Sequence, residues 1–97
     1  MIVLLACLTV DSTVESVRAE TVLAFDRAAD LWREALELAD PDNEDRCRQL
    51  RISLGSALGS AGHGAAAAEA LIAAAEGADE QTRFDCLLAA ARHLLAC

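Results

Sequence analysis

The sequence contains no lysine and no tyrosine, a single proline and only three aromatic residues among its 97 positions. Aromatic and β-branched residues favour strands, and here they are few and mostly confined to the first quarter of the chain. Alanine occupies 22 positions instead; it has the highest intrinsic helix propensity and lets helix backbones approach closely. The composition therefore predicts an all-α protein, and the length predicts a single domain, residues 1–97.

Basic residues are also scarce, with eight arginines against sixteen acidic residues and a net charge of −8. The only local group of arginines, Arg46, Arg48 and Arg51, is flanked by acidic residues, and we expect it to form ion pairs on a helix surface. A chain this acidic repels the phosphate backbone, so nucleic acid is not expected as a partner.

No apolar run approaches the roughly 20 residues that a membrane-spanning helix needs. The longest, residues 1–10, carries no basic residue, which argues against a secretory signal. We expect this N-terminal segment to be buried, either as a helix or as a short strand. The four cysteines, at positions 7, 47, 86 and 97, lack the spacing of a zinc site, and we expect them to be reduced thiols of a cytoplasmic protein.

Apolar periodicity divides the rest of the chain into helical segments. Ser12 and Glu15 form a capping box that predicts a helix start. A second helix is expected from about Ala24, and Pro41 ends its apolar stripe, which Trp32 anchors, so residues 12–39 are predicted to form a first hairpin with its turn near residue 23. A continuous helix from the N-terminus through Val22 is the alternative. Residues 43–76 are predicted as a second hairpin with its turn at Gly62-His63-Gly64. Residues 79–97 are predicted as a last, unpaired helix, with an apolar stripe made of Phe84, Leu87, Leu88, Ala91, Leu94 and Leu95.

Nothing in the sequence indicates catalysis. Cys86 and His93 are seven residues apart, which on a helix separates their backbones by about 10 Å and leaves the thiol without a nearby base. His63 lies in a turn, where a capping or solvent-facing role is more common. Paired Glu-x-x-His metal ligands are absent from the sequence as well. We therefore expect a protein that is not an enzyme and has no catalytic residue, cofactor or metal site.

Two stretches share one pattern. One of them resembles the tetratricopeptide repeat: it consists of Leu54-Gly55, then Gly62, then Ala67-x3-Leu71-x2-Ala74. The second half of this pattern also occurs 39 residues earlier, as Ala28-x3-Trp32-x2-Ala35. The usual unit is about 34 residues long, so the loop around Pro41 is expected to be extended. The resemblance implies antiparallel hairpins stacked as a short solenoid of about five helices. The chain departs from the repeat at Arg51 and Leu58, where aromatic residues are usual, and at Glu15-Ser16, where the first copy lacks the Leu-Gly pair.

Residues 20–97 are also similar to the helical region of large bacterial serine/threonine kinase signalling proteins, which implies a scaffold or sensing role. The chain has neither the glycine-rich loop nor the lysine that a kinase needs, so it is not itself the kinase.

These patterns predict protein binding as the function. A concave face lined by first helices would bind a peptide or helix through Arg51, Ser53, Ser56 and Ser60. Self-association is expected at two apolar ends, giving a dimer if the contact is isologous and a filament if it is head-to-tail. The residues expected at those ends are Ile2, Leu4, Leu5, Leu8, Leu94 and Leu95. One alternative is a regulatory bundle in which Trp32 and small alanines border a small-molecule pocket, and another is a fragment of a longer array.

Overall fold

Four α-helices form the structure, a computed structural model that describes the backbone of residues 2–96 and the side chains of residues 19–95. In chain order they are α1 (Ile2–Leu38), α2 (Glu44–Ser60), α3 (Gly64–Ala75) and α4 (Glu80–Ala96). Each helix packs against the next one along the chain. The described backbone contains no strand, and the predicted all-α class is confirmed.

The described residues form four helices where about five were predicted. α1 runs without interruption for 37 residues, through the predicted capping box at Ser12 and Glu15 and through the turn expected near residue 23. The first 40 residues contain neither glycine nor proline, and valine, serine and threonine each cost a helix at most about 0.7 kcal/mol relative to alanine. No residue there forces the chain to turn, so residues 12–38 belong to one helix and the predicted hairpin over 12–39 is wrong.

The length of α1 gives the molecule its elongated shape. Its 37 residues correspond to about 55 Å, whereas the 17 residues of α2 correspond to about 26 Å. The side chains of residues 19–25 are all exposed, because α2 ends before it reaches them. The N-terminal part of α1 therefore projects past α2, and the longest dimension of the molecule is 63 Å.

The turns between helices follow from local chemistry. Asn43 caps α2, and its side-chain oxygen accepts a hydrogen bond from the Arg46 backbone amide at 3.1 Å. At the other end of α2, Gly62 adopts a φ of +89°, which glycine tolerates without strain. The His63 amide donates to the Leu58 carbonyl at 2.8 Å, and the Gly62 amide donates to the Gly59 carbonyl at 3.1 Å. This Schellman motif ends α2 and directs the chain into α3.

The core is built mainly from small side chains. Ala29 of α1 meets Leu54, Ala57 and Leu58 of α2 together with Ala67 of α3. Two further clusters join the later helices: Ala68, Leu71 and Ala90 in one, and Ala74, Ala75 and Cys86 in the other. Among the described side chains, none that is polar or charged is buried. The helices are therefore held by close apolar contact, the arrangement that alanine-rich faces permit.

Candidate functional site

An exposed apolar surface lies along α4. Phe84, Leu88, Ala91 and Leu95 follow spacings of four, three and four residues, which places them on one stripe of the helix. Phe84 is 62% exposed, Leu88 41% and Leu95 87%, and Ala91 is exposed as well. We refer to these four residues as the α4 outer face. No other described helix covers it.

This face belongs to the apolar stripe that the sequence assigns to α4, but it is not the side that packs on α3. The buried residues of α4 are Cys86 and Ala90, which lie on the opposite side of the helix. They meet alanine-rich parts of α3 around Ala68 and Ala75. Small side chains on both helices let the backbones approach, and larger ones at the contact would hold them apart. The bulky residues consequently face outward.

A second unpartnered stripe lies on α1. It consists of residues at alternating spacings of four and three: Ala24, Ala28, Leu31, Ala35 and Leu38. Leu31 is 64% exposed and Leu38 87%. Ala28 and Ala35 are half-buried at the edge of the contact with α2. We refer to these five residues as the α1 outer face. The side of α1 that packs on α2 is made by Ala29 and Trp32, and Ala28 lies at the border of the two sides.

The residues predicted to bind a peptide separate into two places on α2. Ser53, Ser56 and Ser60 recur at spacings of three and four, so they share one side of the helix, where Ser56 and Ser60 are exposed and Ser53 is half-buried. Arg51 lies in a groove between α1, α2 and the end of α3. The fold therefore groups the three serines and leaves Arg51 apart from them.

Of the residues predicted to mediate self-association, two have described side chains. Leu95 belongs to the α4 outer face and is largely exposed, and Leu94 beside it is half-exposed. The other four, Ile2, Leu4, Leu5 and Leu8, lie on the backbone of α1, but their side chains lie outside the described residues.

The groove that contains Arg51 has a volume of about 530 Å³ and is bordered by charges of both signs. Arg48 lines this groove and has two hydrogen-bond partners. Its Nε donates to the Ala74 carbonyl at 3.2 Å, and its Nη1 pairs with Asp45 at 3.0 Å. Because Ala74 lies in the last turn of α3, Arg48 satisfies a carbonyl that has no partner within that helix. This arginine thus stabilises the α2–α3 contact.

His63 and Asp26 form a contact that no local pattern in the sequence indicates. Nε2 of His63 lies 2.7 Å from Oδ1 of Asp26, although the two residues are 37 positions apart in the chain. Both side chains are about half exposed. The pair connects the α2–α3 turn to the middle of α1, and it gives His63 a structural partner rather than a catalytic one.

The residues weighed for catalysis are not arranged as a nucleophile and base. Cys86 is buried, and burial, together with the nearby carboxylate of Asp85, raises the pKa of its thiol against the opposing effect of Arg48. A thiol with a raised pKa is a poor nucleophile at neutral pH. The His93 ring lies against Gly59 of α2, in the space that a Cβ atom there would occupy. Among the described residues, no three His, Cys, Asp or Glu side chains are placed to hold a metal ion.

Trp32, considered above as the border of a small-molecule pocket, packs half-buried against the cluster formed by Ala29, Leu54 and Leu58. It does not belong to the lining of the groove that contains Arg51. The tryptophan therefore contributes to the contact between α1 and α2.

Comparison of the chain with protein-family models, with curated proteins and with solved structures gave no match. Within the described residues, no helix combines the length and the apolar character needed to cross a membrane.

Proposed function

We propose that this chain is a non-catalytic helical scaffold that binds protein, and above all further copies of itself. The observation that carries the proposal is the exposure of the α4 outer face. Its residues are large, apolar and contiguous along the helix, and soluble proteins seldom expose such a surface unless it is an interaction site. Covering it would remove Phe84, Leu88 and Leu95 from water, and each of these side chains contributes about 1.5–3 kcal/mol when fully buried.

The tetratricopeptide-like architecture is part of the same proposal. Two features support it: α2 and α3 form a helical hairpin, and α4 begins 36 residues after α2, close to the usual repeat of about 34. The Leu54-Gly55 pair lies where α2 and α3 are so close that a Cβ atom on Gly55 would be 3.3 Å from the Ala67 carbonyl oxygen. On this architecture the side of α2 that carries Ser53, Ser56 and Ser60 would bind an extended peptide or a helix. A relationship to kinase-associated signalling proteins and a cytoplasmic location remain predictions.

A small-molecule-binding role is the second candidate. The observation in its favour is the groove of about 530 Å³ beside Arg48 and Arg51, which falls within the range typical of ligand pockets, about 300–1,000 Å³. Arg48 already has two partners in the fold, and the groove is bordered by Glu37, Glu44 and Glu76. These carboxylates weaken the attraction for an anion, so we rank this role below protein binding.

Solution mass measured across a concentration series tests the self-assembly part of the proposal. Light scattering after size exclusion in reducing buffer should give a weight-average mass that rises above the 10.2 kDa of one chain as concentration increases. A mass that stays at 10.2 kDa throughout would contradict self-assembly. For the second candidate, a rise in melting temperature with a small anion, lost in Arg51→Ala, would favour the groove.

A further inference from the structure

α4 is a structural repeat of α2. Both helices have 17 residues, they begin 36 positions apart, and the residues before them, Asn43 and Asp79, are both capping types. Two of the buried positions follow the same offset. Leu50 and Leu54 are buried on α2, and Cys86 and Ala90, each 36 positions later, are buried on α4. The side of α4 that meets α3 therefore corresponds to the side of α2 that meets α1.

α2 has a second packed side, which faces α3 and the end of α4. Arg48 donates to the Ala74 carbonyl, Ile52 packs against the cluster containing Ala74 and Ala75, and Gly55 lies against Leu71. Gly59, the last residue of this stripe, meets the His93 ring. Positions 48, 52 and 55 thus form the contact with α3, and position 59 extends the same stripe to α4.

The corresponding positions on α4 are 84, 88, 91 and 95. They are the α4 outer face, in which all four residues are apolar and exposed. The side that α2 uses to bind α3 is therefore present on α4 and has no partner among the described helices. A helix equivalent to α3 is what fits it.

The chain contains such a helix at its other end. The C-terminal half of α1 repeats α3 with an offset of 39 residues: Ala28, Ala29 and Trp32 correspond to Ala67, Ala68 and Leu71. Their roles correspond as well, since Ala29 packs on α2 and Ala68 packs on α4. The offset exceeds 36 because α1 continues two residues beyond the position equivalent to the end of α3, and the loop after it is one residue longer.

The side of α3 that packs on α2 is formed by Ala67, Ala70, Leu71 and Ala74. Ala67 is in the cluster with Leu54 and Leu58, and Ala70 packs against that cluster. Leu71 lies against Gly55, and the Ala74 carbonyl accepts the hydrogen bond from Arg48. The residues 39 positions earlier are Ala28, Leu31 and Ala35, the centre of the α1 outer face, and Trp32 beside it. Ala28 and Trp32 also pack against the cluster shared with α2, whereas Leu31 is 64% exposed. α1 therefore carries a partly exposed copy of the surface with which α3 binds α2.

We infer that the α1 outer face of one copy packs antiparallel on the α4 outer face of another, in the way that α3 packs on α2. This inference rests on the proposed self-assembly and specifies its geometry. The occupant is a second copy of the chain because the chain presents both halves of the same type of contact, one on its first helix and one on its last. The two helices lie further apart than α2 and α3, since Ala91 and Leu95 replace Gly55 and Gly59.

Such a contact is heterologous: each copy offers α4 to one neighbour and α1 to another. Each helix packs against the next one along the chain, so α1 and α4 are the two ends of the array. Two copies joined by one such contact leave one α1 outer face and one α4 outer face free. Association therefore continues in one direction and gives a distribution of lengths that grows with concentration, unless a rotation between copies closes a ring.

Two charge substitutions distinguish this arrangement from others. Leu31→Glu blocks the α1 outer face, and Leu88→Glu blocks the α4 outer face. Each variant alone should have the mass of one chain, 10.2 kDa, at every concentration. An equimolar mixture of the two variants should form a species of twice that mass and nothing longer. The Leu31→Glu variant keeps an intact α4 outer face and the Leu88→Glu variant an intact α1 outer face, so only one contact, between these two faces, can form. Leu95→Glu provides a second α4 variant at a residue 87% exposed, where the fold does not depend on the side chain.

Leu23→Glu is the matched control, since Leu23 is 65% exposed on α1, almost the same as Leu31, but lies off the stripe. It should associate like the unsubstituted chain. The inference is overturned if the Leu31→Glu variant still associates. It is also overturned if the mixture stays at the mass of one chain although the unsubstituted protein associates. In either case the protein still self-assembles, but through another geometry, such as an isologous α4 contact. If the unsubstituted chain is itself monomeric throughout, the proposed self-assembly fails first.

Discussion

Leu71 of α3 lies so close to Gly55 of α2 that a Cβ atom on Gly55 would be 2.8 Å from the Leu71 Cγ atom and 3.3 Å from the Ala67 carbonyl oxygen. Both Gly55 and Leu71 are buried, so neither helix has free space into which the leucine could move. The glycine therefore sets the distance between α2 and α3, and with it the position of α4 beyond them.

Replacing Gly55 by alanine should destabilise the protein. Overpacking a core contact typically costs about 1–3 kcal/mol, and the better helix propensity of alanine offsets about 1 kcal/mol of this. We expect a net loss of up to about 2 kcal/mol in the free energy of unfolding, measured by urea denaturation followed by circular dichroism.

Gly59→Ala is the comparison for that variant. A Cβ atom at Gly59 would overlap the His93 ring, but this ring ends a half-exposed side chain that can rotate aside. Stability should stay the same or rise by up to about 1 kcal/mol through helix propensity. Equal destabilisation by the two substitutions would contradict the tight α2–α3 contact as the cause of the loss.

Capping by Asn43 should be measurable in the same way. Asn43→Ala removes the acceptor for the Arg46 amide and should lower the free energy of unfolding by about 1 kcal/mol. Asn43→Asp keeps an oxygen in that place and should retain most of the stability. If the aspartate variant loses as much as the alanine variant, the side-chain cap is not the stabilising contact.

The Cys86 thiol should resist alkylation while the protein is folded, because burial raises its pKa and excludes the reagent. Iodoacetamide labelling at neutral pH, followed by mass spectrometry of the peptide containing Cys86, should show slow modification that becomes fast in urea. A cysteine introduced at the exposed position Gln49 should react quickly in both conditions. Rapid labelling of Cys86 in the folded protein would show that α4 does not stay packed on α3.

Asp79 should make stability depend on acid. Hydrogen bonds from the Thr82 side chain and backbone lower the pKa of Asp79, against a smaller opposing effect of desolvation. A carboxyl whose pKa is lower when folded stabilises the protein above its unfolded pKa, near 3.8, and this contribution is lost as pH falls through the lower folded value.

Asp79→Asn retains a capping side chain but does not titrate. The difference in melting temperature between the original protein and this variant should therefore be constant between pH 5 and about pH 7 and should shrink below pH 4. A difference that does not change on acidification would mean that the charge of Asp79 is not what strengthens the start of α4.

Much of the secondary structure was predictable because its causes are local. Alanine content and apolar periodicity indicate helices, Pro41 ends the first of them, and Gly62 supplies the positive φ after α2. The sequence leaves open whether the helix starts at Ser12 or runs from the N-terminus through Val22, because a capping-box pattern also fits inside a helix when the preceding residues are helical. The expected turn near residue 23 is wrong, since α1 continues to Leu38. The pair formed by His63 and Asp26 joins distant parts of the chain, and no short-range pattern marks it.

The sequence by itself determined that this chain is helical and where its glycine and proline turns fall, because propensity, capping and turn chemistry act over a few residues. Only the tertiary structure decided which side of each helix is buried. On α4 the periodic pattern indicates the stripe of Phe84, Leu88 and Leu95, yet the structure buries Cys86 and Ala90, because the alanine surface of α3 accommodates small side chains at close approach. The apolar faces left outside, on α4 and on α1, follow from that choice.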